Sequence, residues 1–381
     1  MNDSRMSVFA CGLVWFGAAI SVAEIEAGIQ SGTNWLALVL GHALGGAILF
    51  AVGLIGALSR LNAMETTAAT FGKYGSKFFA TLNLFQLVGW TSVMLAQAAM
   101  ILKGINNPVS EPVTISILAA IIALGILVGI KNSAKVAAVG MVLLSILFAV
   151  LAYKLFNVHE STGMAPVQPL RFWDAFEVSV AMPLSWLPLI SDYTKNARRP
   201  VAGTATSAIV YTIVSICMFG IGMLISTWGE GANLAFVIKA IGLGLPGFII
   251  VAFSTIATTF LDAYSAGESA KTIHSMAPQK IIGVATCTVG AFLAISGIID
   301  KYTNFLYLIA SVFAPMAIVV LVSHYLARNP WWWNFVAWGA GFTVYQLAST
   351  SVIHSPVGPS ILAIFTSAAV AIAGKAVSPK A

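Results

Sequence analysis

The chain has 381 residues, 59% hydrophobic and only 8% charged, with a mean hydropathy of +0.92 and a formal net charge of +6. A soluble domain carries about 25% charged residues, so this composition excludes one. Cys11, Cys217 and Cys287 lie inside apolar runs with no ligand spacing, which argues against a disulfide framework or a cysteine metal centre and reads all three as small buried residues.

Runs long enough to cross a hydrocarbon core about 30 Å thick fall at 8–29, 34–58, 77–102, 112–130, 132–155, 173–194, 201–228, 246–269, 280–298, 302–326, 331–350 and 356–375. They predict an all-α polytopic membrane protein of about twelve spans, with the lipid bilayer as its first partner. The first span reads VFACGLVWFGAAISVAEIEAGI, and its centre, Gly17 to Ser21, offers small side chains and a hydroxyl where lipid would favour leucine. Glu24 and Glu26 follow within it. An intramembrane acid costs on the order of 2.5 to 3.5 kcal/mol on insertion scales and therefore faces protein or a watery cavity. Packing through small residues accounts for the glycine and alanines but not for Glu24. The N-terminus carries one basic residue and no small-residue cleavage site follows, so the segment reads as a retained span and not as a signal peptide.

With the N-terminus inside, Arg5, Arg60, Lys73, Lys77, Lys131, Lys135, Lys195, Arg198, Arg199, Lys271, Lys280, Arg328, Lys375 and Lys380 fall on the inner side, fourteen of the nineteen basic residues. Lys103, Lys154, Arg171, Lys239 and Lys301 fall outside. This asymmetry predicts cytoplasmic termini in an inner membrane. The positive charge then reflects topology, and no basic cluster with interleaved aromatics points to nucleic acid. Trp331, Trp332 and Trp333, beside Arg328 and Pro330, read as an interfacial anchor.

Two connections stand out. Arg60 to Ser76 contains the helix-like LNAMETTAATFGKYG, and Glu230 to Gly244 contains NLAFVIKAIG, each preceding the third span of a five-span set. The first and sixth spans start about 165 residues apart and the third and eighth about 169. Five is odd, so the second set lies upside down relative to the first, the pattern of an inverted-repeat transporter with discontinuous helices near the midplane. Residues 1–155 and 173–326 are read as the two repeats and 331–375 as two additional spans. The sixth span carries Pro183 and Pro188, which predict an interruption near Pro183 to Trp186 to match the weak centre of the first.

Counting about 1.5 Å of rise per residue from each entry side, Ala18 to Ser21, Trp90, Trp186, Thr258 and Thr259 reach one level. Trp90 and Trp186 suit the faces of an aromatic ring, or serve as packing. Thr258 and Thr259, with Ser254 and Thr255 one turn earlier, offer oxygens to a hard cation together with freed first-span carbonyls, or bond back to their own helix. Glu24 suits an amino group and ring nitrogen of a substrate, an entry path, or a tie between helices. Gln86 and Gln97 supply donors and acceptors. Asp262 sits one turn inward of the threonines, and Asp192 with Arg198 reads as an inner-end ion pair or as solvated loop charge.

The segments WFGAAISVAE, from Trp15 to Glu24, WLPLISDYTK, from Trp186 to Lys195, and FSTIATTFLDAYSAG, from Phe253 to Gly267, resemble the nucleobase:cation symporter family 1. Within it, the branch of the hydroxymethylpyrimidine permease (CytX-like), associated with thiamine precursor salvage, is most similar. The resemblance implies a LeuT-like five-plus-five inverted repeat with two extra helices and broken first and sixth helices. It implies alternating access and a sodium site built from the carbonyls of Ala18, Ser21 and Thr255 with the hydroxyls of Thr258 and Thr259. It further implies a ring clamp from Trp90 and the Pro183 to Trp186 break, with Gly17 and Tyr264 on the substrate side. Tyr264 stands near a position where the family often has Asn, and Lys195 replaces the usual Arg and with it a bidentate fork.

These readings lead to a secondary transporter importing a pyrimidine-type nucleobase or hydroxymethylpyrimidine with sodium, or with protons instead. Cytosine or purine uptake is the rival within the fold, and a channel lies outside it. No HExxH, GxGD or paired aspartate motif supports a membrane enzyme, and only His42 of the five histidines lies well within a span. The oligomeric state is open, and a monomer suffices.

Overall fold

The computed structural model describes residues 5–105, 108–157, 163, 165, 168–297 and 302–376. Lys301 and Lys380, counted above among the side-determining charges, lie outside these residues, as do the side chains of Lys131 and Lys135. The first span is two helices, α1 (Val8–Ala19) and α2 (Val22–Gln30), bent by 51°. Ser21 occupies the bend because its hydroxyl caps α2, accepting the Ala23 N–H at 3.1 Å. The second span is α3 (Trp35–Ser59). The connection after it folds as the short α4 (Ala63–Thr66), started by a capping box in which Asn62 and Glu65 bond reciprocally at 2.8 and 2.9 Å. Next comes α5 (Ala68–Gly104), kinked where Gly72 takes φ 71°, so the third span proper begins just beyond it.

Then follow α6 (Glu111–Val128), α7 (Ile130–Asn157), the split sixth span α8 (Phe172–Ser185) and α9 (Ile190–Thr194), and α10 (Pro200–Ser226). The second long connection holds α11 (Leu234–Ala240), capped by Asn233 on the Phe236 N–H at 2.9 Å. The remaining helices are α12 (Gly244–Ile273), α13 (Gln279–Ile295), α14 (Tyr302–Tyr325), α15 (Trp331–Ser349) and α16 (Pro359–Ala373). Prolines open α6, α10 and α16, where the missing N–H costs nothing.

Among the described residues six helices are long and apolar enough to cross a bilayer, and the bent α1–α2 pair makes a seventh. Large apolar side chains such as Leu36, Phe85, Leu124, Ile209, Phe253 and Phe292 point outward. Such a surface suits lipid and not water. Cys11 and Cys287 are buried as expected, but Cys217 is exposed on the outer face of α10 and corrects the reading of all three as interior. Trp331 and Trp332 are exposed at the start of α15, whereas Trp333 turns inward and donates to the Val370 carbonyl at 2.8 Å.

The packing obeys an exchange between the two halves. Helix α3 lies against α8 and α9, and its counterpart α10 lies against α1 and α2. Likewise α5 packs on α13, α12 packs on α6, and α5 and α12 pack on each other at the centre. This is a five-plus-five inverted repeat, with α15 and α16 packed on each other and on α14. Close approach of α2 to α10 depends on glycine from both sides: a Cβ on Gly28 would lie 2.3 Å from the Phe219 carbonyl oxygen, and one on Gly222 would lie 2.1 Å from that of Ile25.

Candidate functional site

Where α1 ends, the backbone stops satisfying itself. Ile20 N–H still reaches the Phe16 carbonyl at 3.0 Å, but Ser21 N–H turns back to Ala19 at 2.9 Å. Helix α12 supplies the missing donors: Ser254 donates to the Ile20 carbonyl at 2.8 Å, and Thr258 to that of Gly17 at 3.3 Å and to its own helix at Ser254, 3.1 Å away. The first-span carbonyls that accept from α12 hydroxyls are those of Gly17 and Ile20, each next to a residue, Ala18 or Ser21, whose carbonyl the resemblance assigns to sodium. The hydroxyls of Thr255 and Thr259 are buried with no hydrogen-bond partner. Unpartnered buried oxygens beside carbonyls at a helix break suit a hard cation such as sodium.

The sixth span breaks at Trp186 to Leu189, slightly later than expected. Helix α8 runs through Pro183, whose ring lies against Gly45 of α3, and the chain then passes through tight turns from Trp186 to Pro183, Leu187 to Leu184 and Leu189 to Trp186. Carbonyls freed there are met from α5: Asn83 donates to Pro188 at 3.2 Å and Gln86 to Ser185 at 3.3 Å.

Between the two breaks lies a cavity lined by Ala18, Ser21, Ala23, Glu24, Trp90, Met94, Met182, Ser185, Trp186, Leu189, Thr258 and Asp262. Its open volume is about 20 Å³, room for about one water molecule. A ring-sized solute therefore requires the side chains to part. Of the residues singled out in the sequence, Ala18, Ser21, Glu24, Trp90, Trp186, Thr258 and Asp262 meet here. Gly17, Thr255 and Thr259 lie outside the lining, as do Pro183, packed toward α3, and Gln86, which holds the sixth-span break. Gln97 is buried farther along α5, outside the lining, with its Oε1 unpartnered. Tyr264 also falls outside: its hydroxyl donates to Glu268 at 3.2 Å and its ring lies 5.6 Å from that of Tyr193.

The aromatic arrangement is edge-on. Trp186 meets Trp15 at 5.5 Å and 74° and Tyr211 at 6.0 Å and 61°, while Trp90 meets Phe305 at 5.5 Å and 70°. Trp15, 1% exposed, is the centre of this group and was not picked out as a site residue, although it stands five positions before Ile20, where α1 ends. Glu24 has both oxygens engaged, Oε1 accepting from Tyr211 at 2.9 Å and Oε2 from Ser215 at 2.7 Å. Asp262, buried at the cavity, makes no side-chain hydrogen bond among the described residues.

On the face that carries Met6, polar ties join the helices. Lys195 pairs with Glu268, which also accepts from Tyr264 and from Gln279. Asp192 accepts the Ala63 N–H at 2.9 Å, and Arg198 gives its backbone N–H to Met6 at 2.8 Å. Among the described residues the ion pair at this end is Lys195–Glu268.

No family model matches the sequence, and no curated protein matches it. Solved structures do. The inward-facing conformation of Mhp1 superposes with a TM-score of 0.76 at 17% identity, covering 98% of this chain and 91% of that one. Mhp1, a nucleobase-cation-symport-1 family transporter, in a closed conformation with bromovinylhydantoin bound gives 0.75 at 18%, covering 97% and 91%. A substrate-bound, outward-open Na+-coupled sialic acid symporter gives 0.74 at 13%, covering 99% and 91%. At these identities the likeness establishes the architecture, and the chain has the LeuT-like fold of those transporters: broken first and sixth helices, an inverted repeat of five plus five, and two helices more.

Proposed function

We propose that the chain is a secondary transporter that imports a pyrimidine-type nucleobase or hydroxymethylpyrimidine together with sodium by alternating access. The observation that carries this reading is a tryptophan-lined cavity walled by Ala18 and Ser21 of the broken first span and Thr258 of α12, with the Thr255 and Thr259 hydroxyls of the same helix buried without partners. A flat apolar ring suits the tryptophans, and the oxygens suit sodium. Support also comes from the neighbours, one holding bromovinylhydantoin and another a Na+-coupled symporter, and from the sequence resemblance to nucleobase:cation symporters. Residues 1–155 and 173–326 act as the two repeats and 331–375 as a flank. Both termini face the cytoplasm of an inner membrane, in line with fourteen of nineteen basic residues falling on that side.

The chain reconstituted in liposomes is expected to take up labelled hydroxymethylpyrimidine faster under an inward sodium gradient, with saturation and counterflow. Competition by cytosine, uracil and purines ranks the ring classes. Uptake without saturation means a channel, and indifference to every cation removes the coupling.

A further inference from the structure

Glu24 is the cavity end of a hydrogen-bonded chain that crosses four helices. Its Oε2 accepts from Ser215 Oγ at 2.7 Å, and Ser215 Oγ lies 2.7 Å from His42 Nε2. On the other side of the imidazole, Nδ1 lies 2.7 Å from Ser179 Oγ and 3.2 Å from the Leu38 carbonyl, and Ser179 Oγ is itself 2.7 Å from that carbonyl. Glu24 is 1% exposed, and His42, Ser179 and Ser215 are fully buried. Among the described residues the groups facing this chain are Tyr211 from α10 on Glu24 and Phe219, 4.7 Å from the imidazole. Trp90 and Met94 from α5 and Asp262 from α12 line the same cavity. None of them is a cation.

Counting hydrogens limits the states. A serine has one hydroxyl hydrogen and a neutral imidazole one N–H. With Glu24 ionised and accepting from Ser215, Ser215 accepts from Nε2–H, Nδ1 is bare, and Ser179 must turn its hydrogen from Leu38 to the ring. That leaves one negative charge buried without a counter-ion, a costly arrangement. One added proton removes the charge in two interchangeable ways. Placed on Nδ1, it makes an imidazolium linked to Glu24 through Ser215, and Ser179 is free to donate to Leu38. Alternatively the Nε2 proton passes to Ser215 as the Ser215 hydrogen passes to Glu24, leaving a neutral acid and a neutral imidazole with its hydrogen on Nδ1. Both loaded states satisfy every donor, and the placement of Ser179 and Nδ1 around one carbonyl suits them.

We propose that Glu24, Ser215, His42 and Ser179 form a binding site for one proton that loads and empties through the substrate cavity, so that transport carries a proton beside its sodium. The proton leaves when the cavity opens to water of lower acidity. The coupling rests on the transporter reading above; the site itself does not.

The test separates the two. In full-length protein in lipid, infrared difference spectra taken on raising the pH are expected to lose a protonated-carboxyl band. That band is absent in Glu24→Gln and shifted in Ser215→Ala, and the ring-nitrogen signals of His42 move over the same pH range. Absence of any pH-dependent carboxyl band in the wild type, or its persistence in Glu24→Gln, overturns the site. Uptake of labelled hydroxymethylpyrimidine at fixed sodium is expected to rise with an inward proton gradient, and Glu24→Gln is expected to lose that rise. Wild-type uptake indifferent to the proton gradient overturns the coupling. No uptake of this compound at all counts against the substrate reading, and the infrared result still decides the proton site.

Discussion

The Thr258 hydroxyl donates to the Gly17 carbonyl at 3.3 Å, so the break in the first span is bonded across the molecule to the eighth. With the Ser254 hydroxyl on the Ile20 carbonyl at 2.8 Å, that contact joins α1 to α12 where a cation ligand set would need oxygens from both.

Removing an oxygen there should act on sodium before it acts on the fold. Thr259 has no hydrogen bond to lose, and a lost ligand bond of about 1 to 3 kcal/mol corresponds to roughly a ten- to hundredfold higher sodium requirement. Thr259→Ala is expected to show that shift in the sodium dependence of substrate binding, with normal yield of folded protein. An unchanged sodium dependence would place the ion elsewhere.

Two tryptophans should separate by what they touch. Trp15 is 1% exposed and meets Trp186, Tyr193 and Tyr211 edge-on at 5.5, 6.1 and 5.7 Å. Trp15→Ala is expected to cost about 3 to 5 kcal/mol of stability, the usual penalty for emptying a packed aromatic site, read as a lowered melting midpoint in detergent. Trp90, 7% exposed and on the cavity wall, should instead weaken substrate binding when cut to alanine while folded yield stays near normal. A collapse in yield for Trp90→Ala means the ring serves packing.

The Lys195–Glu268 pair ties α9 to α12 on the N-terminal face. Lys195→Met is expected to favour opening on that face. With Cys11, Cys217 and Cys287 replaced by serine and a cysteine placed at Ser265, a membrane-permeant alkylating reagent should label faster in the Lys195→Met background. Equal rates in both backgrounds would leave the pair with no role in gating.

Glu177 holds the two added helices. It is 3% exposed and accepts from Tyr345 at 2.8 Å and from the hydroxyl and N–H of Ser360 at 2.7 and 2.9 Å, which places a carboxylate on the start of α16. In Glu177→Gln the amide group meets the Ser360 donors in place of one oxygen, a loss of about 1 to 3 kcal/mol. The expected result is a melting midpoint lowered by a few degrees with the substrate affinity retained, since Glu177 lies outside the cavity lining.

The span order and the unusual first span were legible in the residues alone. Lipid obliges the backbone to bond within each segment and the side chains to be apolar over a fixed length, so hydropathy reports where helices run. The predicted 34–58 folds as Trp35–Ser59 and the predicted 280–298 as Gln279–Ile295. Small residues at Gly17 to Ser21 and the prolines around Trp186 marked the breaks because a helix is weakest where it lacks packing bulk or a backbone donor. Rotation about each helix axis was another matter. A span that is apolar toward lipid and apolar toward its neighbours carries little periodic signal of which side faces in. Tertiary packing alone therefore decided that the Gly17 and Ile20 carbonyls accept from Thr258 and Ser254 of α12. It decided that Lys195 takes Glu268, and that Glu24 meets Tyr211 and Ser215, residues almost two hundred positions away whose approach depends on the close contact of α2 with α10.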